Sequence, residues 1–272
     1  MAECNHDCSN CAQADSCTSK IEKAKLNDRS HIKKIVGVLS GKGGVGKSYI
    51  TSLLAVYLNR QGYKVGIMDA DITGPSIPKA FGLKGSVYSD GGFVEPMETI
   101  TGIKVISANF LLDNESDPIV WRGPLLGGLV KQFYEEVAWG DLDVLFIDMP
   151  PGTGDVALTI FQMLPVDELV IITSPQDLVS LIVKKALKMA EMMNIKVKGV
   201  IENMSYVECP DCHKHINVFG ESHLEDFAKE MKFEILGRLP LVSENAKKVD
   251  EGKVESIYLE EIEQVSDQLV EE

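Results

Sequence analysis

The sequence predicts a doubly wound α/β fold with a mostly parallel sheet and a short, cysteine-rich N-terminal extension. From about residue 32 onward, short apolar segments alternate with segments whose apolar residues recur at helical spacing. Two apolar segments, residues 143–148 and 169–172, are continuous, as in parallel strands covered on both faces. A glycine-rich turn at residues 41–48 joins the first apolar segment to the first helical one. Strand, turn and helix in this order form the repeating unit of such sheets.

The predicted elements follow one another with short connections. Strands are predicted at residues 35–39, 65–69, 104–107, 143–148, 169–172, 199–201 and 234–236. Helices are predicted after the glycine-rich turn and at residues 124–137, 178–193, 224–231 and 257–270. Residues 86–102, rich in Gly, Ser and Glu, are interpreted as a surface excursion. Residues 31–272 are therefore expected to form one domain, preceded by a separate segment, residues 1–30, that ends in a charged linker or short helix.

Charge and hydropathy exclude several classes of protein. The 272 residues include 41 acidic and 27 basic side chains, for a net charge of −14. This excess of negative charge argues against nucleic acid or an anionic membrane as a partner. No apolar run reaches the roughly 18 residues of a membrane span, and the N-terminus lacks the apolar stretch of a signal peptide. We expect a cytoplasmic protein whose six cysteines bind metal or serve redox chemistry.

The glycine-rich turn matches the phosphate-loop pattern G-x-x-x-x-G-K-[ST]. Its glycines allow backbone N–H groups to approach a phosphate closely, and the following helix contributes the positive end of its dipole. Lys47 is expected to reach the outer phosphates of ATP, and the Ser48 hydroxyl to ligate Mg²⁺. The predicted nucleotide-binding residues of the loop are Gly41, Lys42, Gly43, Gly44, Val45, Gly46, Lys47 and Ser48.

Lys42 is a second lysine inside the loop. The pattern K-G-G-x-G-K-[ST] resembles the deviant phosphate loop of the MinD/ParA/nitrogenase-iron-protein class of ATPases. In that class the first lysine reaches across a dimer interface to the nucleotide of the partner. The resemblance therefore implies a homodimer in which Lys42 has a catalytic role beside Lys47.

Acidic residues follow two of the predicted strands. Asp69 and Asp71 end the second strand, and Asp148 ends the strand at residues 143–148. Ligand chemistry in a parallel sheet occurs at the carboxyl ends of its strands, so Asp148 is a candidate for holding Mg²⁺ and Asp71 for orienting the attacking water. A strand-end aspartate can instead cap the next helix. Asn203, at another strand end, is either an adenine contact or a turn residue.

Two cysteine groups have metal-ligand spacing. Cys209 and Cys212 form a C-x-x-C pair that supplies only half of a four-ligand shell. His213 and His215 could complete a zinc site, C-x-x-C-H also matches haem attachment, and a second copy of the chain could contribute two more thiolates for a bridging [4Fe–4S] cluster. The second group, in the N-terminal segment, comprises Cys4, Cys8, Cys11 and Cys17.

The motifs together resemble the Mrp family of iron–sulfur carrier ATPases, across about residues 33–252. The matching segments are residues 69–78 (DADITGPSIP), 121–124 (WRGP), 148–155 (DMPPGTGD), 203–205 (NMS), 209–212 (CPDC) and 219–220 (FG). The resemblance implies an ATPase that carries a [4Fe–4S] cluster at a dimer interface between two Cys209/Cys212 pairs and transfers it to apo-proteins. It also implies cluster-assembly proteins as partners and Asn203 and Pro240 beside the adenine. For the N-terminal segment it implies a cluster on Cys8, Cys11 and Cys17 with Cys4 or His6 as the fourth ligand; a zinc-bound or metal-free tail is the alternative.

Two other functions are consistent with parts of the sequence. A MinD- or ParA-type positioning ATPase would need a basic amphipathic C-terminus or a basic DNA-binding face. Residues 250–272 instead contain nine carboxylates and one lysine. A zinc-stabilised regulatory ATPase without cluster transfer would retain the phosphate loop and use the cysteines only for structure.

Overall fold

The computed structural model describes residues 23–72, 74, 76–111, 123–175 and 179–270. The strands are β1 Ser30–Ser40, β2 Val65–Asp69, β3 Ser89–Asp90, β4 Phe93–Val94, β5 Met97–Glu98, β6 Lys104–Ser107, β7 Gly140–Asp148, β8 Glu168–Thr173, β9 Lys196–Glu208, β10 His215–Ile216 and β11 Ile235–Pro240. The helices are α1 Lys47–Arg60, α2 Ile77–Phe81, α3 Gly123–Glu136, α4 Asp155–Met163, α5 Val179–Met192, α6 Leu224–Met231, α7 Ser243–Asp250 and α8 Glu260–Val270.

A nine-stranded sheet runs through the described part of the chain. Its order is β10-β9-β8-β1-β7-β2-β6-β5, and β11 pairs with β9. The pairs among β1, β2, β6, β7, β8, β9 and β11 are parallel, whereas β5 and β10 pair antiparallel. The sheet is thus doubly wound and mostly parallel, which confirms the predicted fold class.

The central strands form the core. All residues of β2 and β8 are buried, and Leu145, Phe146 and Ile147 of β7 have no solvent exposure. This two-sided burial explains why those segments are continuously apolar in the sequence. The parallel register also pairs Asp69 with Asp148 across β2 and β7, which places the two strand-end carboxylates side by side.

Some element boundaries differ from the sequence prediction. The last helix begins at Glu260 rather than residue 257, and the backbone N–H of Leu259 donates to the Tyr57 hydroxyl. Strand β9 is much longer than residues 199–201 because β8, β11 and β10 pair along its length. Helices α2, α4 and α7 were not predicted, and the surface excursion contains three two-residue strands, β3, β4 and β5.

Residues 23–29 form no helix, and Lys23 and Ala24 lie against the C-terminal end of α4. The Lys23 ammonium donates to the carbonyls of Phe161 and Leu164 at 2.6 and 2.7 Å, and burial lowers the pKa of Lys23. The backbone N–H of Ala24 donates to the Met163 carbonyl at 2.7 Å. A cation over the last carbonyls of a helix complements its dipole, so this segment is anchored to the domain.

The four N-terminal cysteines lie outside the described residues, and the domain boundary near residue 30 stays a prediction. Within the described ranges, every helix is too short or too polar to cross a lipid bilayer.

Glycine substitutions test the packing of the sheet. A Cβ at Gly199 would lie 2.6 Å from the Glu234 carbonyl oxygen and 2.7 Å from Leu236 Cγ, whereas a Cβ at Gly128 in α3 would meet nothing within 4 Å. We expect Gly199→Ala to lower the free energy of unfolding by about 1–3 kcal/mol. Gly128→Ala should raise it by roughly 0.5–1 kcal/mol, because alanine is the better helix former. Urea unfolding of both variants measures this, and equal effects of the two substitutions would contradict the described packing.

Candidate functional site

The phosphate loop connects β1 to α1 and depends on glycine at two positions. Gly44 and Gly46 have φ angles of 81° and 83°, a left-handed conformation that strains other residues. A Cβ at Gly46 would also lie 2.3 Å from the Asn203 amide nitrogen. The loop therefore requires glycine at position 46, where its backbone passes close to Asn203.

The N-terminus of α1 is prepared for an anion. Its cap residue, Gly46, makes no side-chain capping hydrogen bond, and the first turn contains no acidic residue. The first N–H groups of a helix have no partner within that helix, and its dipole favours negative charge there. The 14 residues of α1 and the glycine loop together form a cradle that fits a phosphate.

Lys47, Ser48 and Thr51 converge on Asp148 at the end of β7. The Lys47 ammonium lies 2.8 Å from Asp148 Oδ1, and Thr51 donates to the same oxygen at 2.9 Å. Ser48 donates to Oδ2 at 2.5 Å. Asp148 is fully buried and the Lys47 side chain is 5% exposed, so the ion pair is desolvated. A hydroxyl and a carboxylate are hard oxygen donors suited to Mg²⁺.

Two further aspartates surround this ion pair. Asp69 is fully buried and accepts a hydrogen bond from Ser107 at 3.1 Å. Burial, followed by the negative charge of Asp148, raises the pKa of Asp69 well above its usual range. Asp71 lies 3.6 Å from the Lys47 ammonium and its side chain is 13% exposed. Asp71 is thus the more accessible of these two carboxylates, as expected of a group that contacts water.

The loop after β7 contacts the phosphate-loop side of the sheet. The backbone N–H of Gly152 donates to the Ser40 carbonyl at 2.7 Å, and Gly152 has a φ of 89°. Helix α4 begins shortly afterwards at Asp155. Any rearrangement around Asp148 would therefore reach the start of α4 through a glycine-containing loop.

A cavity of about 260 Å³ opens beside the phosphate loop and is mostly lined by apolar groups. It brings together Asn203 and Pro240, the two residues predicted to contact adenine. The buried Asn203 amide donates to the Val45 carbonyl at 2.9 Å, so it connects the cavity to the loop. The remaining lining residues are Gly46, Tyr49, Met204, Leu241, Val242, Asn245, Ala246, Val249 and Asp250.

Cys209 and Cys212 lie on a hairpin at the end of β9, which we call the cysteine hairpin (residues 207–216). Its two strands pair antiparallel, and the turn is closed by Cys209 N–H to Lys214 carbonyl and His213 N–H to Cys209 carbonyl hydrogen bonds of 3.0 and 2.9 Å. Cys209 is half-buried and Cys212 exposed. Hydrogen bonds from the backbone N–H groups of Asp211 and Cys212 lower the pKa of the Cys209 thiol, which favours the metal-binding thiolate.

The two histidines of the hairpin are engaged elsewhere. His213 Nδ1 contacts the Glu208 carboxylate, and the His215 ring stacks on Tyr206 with 3.8 Å between ring centroids. Among the residues that the structure describes, no three His, Cys, Asp or Glu side chains are grouped to hold a metal ion. The described part of one chain therefore does not form the Cys₂His₂ zinc site considered above.

A family model described as "ParA: NUBPL iron-transfer P-loop NTPase" matches residues 31–272. The chain belongs to this family. A Clostridium perfringens protein named iron-sulfur cluster carrier protein is 44% identical over 270 residues, covering 93% of this chain and 95% of the relative. A Methanocaldococcus jannaschii protein of the same name is 45% identical over 260 residues, covering 93% and 90%. The cytosolic Fe-S cluster assembly factor CFD1 of Candida glabrata is 41% identical, covering 84% and 85%.

Solved structures agree with this assignment. A nucleotide-binding protein from Archaeoglobus fulgidus in complex with ADP is 45% identical, with a TM-score of 0.75 over 83% of this chain and 88% of that one. The MinD cell division protein of Aquifex aeolicus, in complex with MinC, is 19% identical with a TM-score of 0.65, covering 87% and 95%. At that identity the second likeness concerns the fold alone.

The structure brings the predicted nucleotide residues to one edge of the sheet and the cysteine pair to the neighbouring hairpin; their chemical roles stay predictions. Thr51, Tyr49 and Asn245 were not predicted. Thr51 lies one helical turn beyond Lys47, a spacing that could have indicated it. Asn245, which donates to the Tyr49 hydroxyl at 3.1 Å, belongs to a helix with few apolar residues and gives no sequence signal.

The raised pKa of Asp69 should make the stability of the folded chain depend on pH. Because folding raises its pKa, the folded state binds more protons than the unfolded state above the usual carboxyl range, and stability falls as pH rises through that window. In metal-free buffer, Asp69→Asn should become progressively more stable than wild type as the pH rises above about 4, the usual pKa of an aspartate. Urea unfolding across that range measures the difference, with the exposed Asp141→Asn as the control. A constant difference at all pH values would contradict the raised pKa of Asp69.

Proposed function

We propose that this chain is an ATP-binding and ATP-hydrolysing iron–sulfur carrier. Two copies receive a [4Fe–4S] cluster between their Cys209/Cys212 pairs and pass it to apo-proteins, aided by cluster-assembly proteins. The observation that carries the proposal is an accessible thiol pair, with no further ligands grouped around it in the described residues, on the same chain as a complete phosphate cradle. The names of the relatives at 41–45% identity support it.

The nucleotide half of the proposal assigns a role to each residue at the sheet edge. The backbone of residues 41–48 and the N-terminus of α1 bind the phosphates, and Lys47 turns from Asp148 towards them. Ser48 and Asp148 would hold Mg²⁺, which when bound neutralises phosphate charge. Asp71 orients the attacking water, and the cavity beside Asn203 and Pro240 takes the adenine. The relative bound to ADP supports this half.

The cysteine half requires a second copy. Two thiolates complete half of a [4Fe–4S] ligand shell, and a two-fold axis through the hairpin would supply the other half. The lowered pKa of Cys209 favours the thiolate that binds iron, and the exposure of Cys212 leaves the pair accessible for binding and release of a cluster. The same two-fold axis would bring Lys42, half-buried in the phosphate loop, to the nucleotide of the partner.

The C-terminal helix argues against a MinD-type membrane function. Ile262, Val265 and Leu269 on its apolar face are fully buried, since α8 packs on α1 and β11. Its first turn is acidic, with Glu260, Glu261 and Glu263. A membrane anchor needs a free apolar face beside basic residues, and α8 offers neither.

We also propose a cytoplasmic location and a second cluster on the N-terminal cysteines.

Substitution of the two loop lysines, Lys42 and Lys47, should impair different steps of the ATPase reaction. We expect Lys42→Ala to bind a fluorescent ATP analogue as wild type does but to hydrolyse ATP about 100-fold more slowly or worse, the cost of one lost charge-stabilising group. Lys47→Ala should lose nucleotide binding itself. Lys229→Ala, an exposed lysine on α6, is the control. Wild-type hydrolysis by Lys42→Ala would contradict a role across the dimer interface.

The cysteine site is tested by iron content. After anaerobic reconstitution of a full-length chain with Cys4, Cys8, Cys11 and Cys17 replaced by serine, we expect iron and sulfide to be retained at the hairpin. Adding Cys209→Ser and Cys212→Ser should reduce both to background, because serine does not replace the thiolate ligands. Equal iron in the two proteins would mean that the cluster is bound elsewhere.

A further inference from the structure

A buried carboxylate with no assigned role lies beside the nucleotide cavity. Glu202, in β9, is 2% exposed. Its Oε2 accepts a hydrogen bond from Ser205 at 2.5 Å, and its Oε1 accepts one from Ser222 at 2.6 Å. Burying a charge is costly unless it is paired and hydrogen-bonded. The two hydroxyls occupy opposite oxygens of one carboxylate, and they come from different segments of the chain.

Arg238 contacts the Glu202 carboxylate and links it to β11 and α6. Arg238 of β11 places Nε 3.6 Å from Glu202 Oε2. Its Nη1 donates to Glu225 of α6 at 3.3 Å. Arg238 Nε is buried and makes no hydrogen bond, so the guanidinium compensates the charge of Glu202 without fixing its orientation. The link from Glu202 to the segment after the hairpin is therefore the Ser222 hydrogen bond, whereas Ser205 bonds the other oxygen from within β9.

Ser222 lies in the segment between the cysteine hairpin and α6. It stands six positions after the hairpin and two positions before α6, and its hydroxyl also accepts the Leu224 backbone N–H at 3.2 Å. Upstream, the hairpin grows out of β9, and the stacked rings of Tyr206 and His215 hold its two strands together. The hydrogen bond from Ser222 to Glu202 thus ties the segment that follows the hairpin back to β9, the strand from which the hairpin extends.

The same stretch of β9 contacts the phosphate loop. Asn203, next to Glu202, donates to the Val45 carbonyl and lines the cavity beside the phosphate loop. Neighbouring side chains of a strand point to opposite faces, so Asn203 contacts the phosphate loop while the adjacent Glu202 contacts the segment that follows the hairpin. The Leu241 N–H, in the cavity wall, also donates to the Tyr206 carbonyl at 2.7 Å.

We propose that Glu202 is a positioning residue that clamps the cysteine hairpin to the strand contacting the phosphate loop, and so couples nucleotide binding to cluster binding. This inference rests on the proposed function. Nucleotide that displaces the Val45–Asn203 contact shifts β9, and the clamp carries that shift to the thiol pair. By linkage, the cluster must change nucleotide affinity by the same factor as nucleotide changes cluster affinity.

A matched pair of variants tests the clamp. Ser222→Ala and Ser205→Ala each remove one hydroxyl from Glu202, but only Ser222→Ala disconnects the hairpin. Affinity for a non-hydrolysable ATP analogue is measured on cluster-loaded and cluster-free protein. We expect the affinities of the cluster-loaded and cluster-free forms to differ about fivefold or more in wild type and in Ser205→Ala. In Ser222→Ala the two affinities should be nearly equal. Glu202→Gln, which leaves the Ser222–Leu224 contact intact, should also lower the ratio of the two affinities.

Hydrogen exchange supplies a readout that needs no cluster. In Ser222→Ala, the amides of Cys209 and His213 should exchange about tenfold faster, the factor expected for one lost charge-assisted hydrogen bond, and in Ser205→Ala they should not change. A wild-type affinity ratio of one, or equal effects of the two serine variants, overturns the clamp. If wild type binds no iron at the hairpin, the proposed function fails instead, and the exchange rates still decide whether Glu202 positions the hairpin.

Discussion

A desolvated ion pair between Lys47 and Asp148 constrains the whole carboxyl edge of the sheet. Asp148 accepts contacts from Ser48 and Thr51 as well, so one carboxylate fixes the end of β7 to the loop and to the first turn of α1. Breaking such a pair on one side leaves a buried charge uncompensated, which costs about 3–5 kcal/mol. The pair thereby preorganises the loop that is proposed to bind the phosphates.

The same strand ends bring several carboxylates close together. The parallel register sets Asp69 against Asp148, and Asp69 is fully buried, so its pKa is raised. Asp71 and Asp148 lie 3.6 and 2.8 Å from the Lys47 ammonium, so even without Asp69 the edge holds more negative charge than Lys47 alone neutralises. A divalent cation bound by Ser48 and Asp148 would relieve that excess, so the electrostatics of the edge and the donor set favour the same kind of ligand.

The sequence predicted the central strands well because their burial leaves a direct signature. Residues 65–69 and 104–107 were placed with the bounds that the structure has. Helices α2 and α7 were missed for local reasons: α2 is five residues long with Pro78 in its first turn, and α7 has few apolar residues. The extension of β9 beyond residue 201 depends on pairing with β10 across the cysteine hairpin and with the more distant β11, which periodicity cannot reveal.

The candidate functional residues also fall into two groups: those that sequence spacing identifies and those that only tertiary contacts define. The phosphate loop and the C-x-x-C pair could be identified from spacing, since their chemistry requires particular residues at fixed intervals. The contact of Asn203 with Val45 and that of Ser222 with Glu202 arise only when β9 meets the loop and the segment that follows the hairpin. Such contacts join the nucleotide and cysteine regions, and they are tertiary by nature.

The central claim is that a second copy of the chain completes the cluster site. Native mass spectrometry of anaerobically loaded protein, with the four N-terminal cysteines replaced by serine, tests it most directly. The account predicts a single species of two chains with four iron and four sulfide ions, and no cluster on single chains. A full cluster on a lone chain would contradict it.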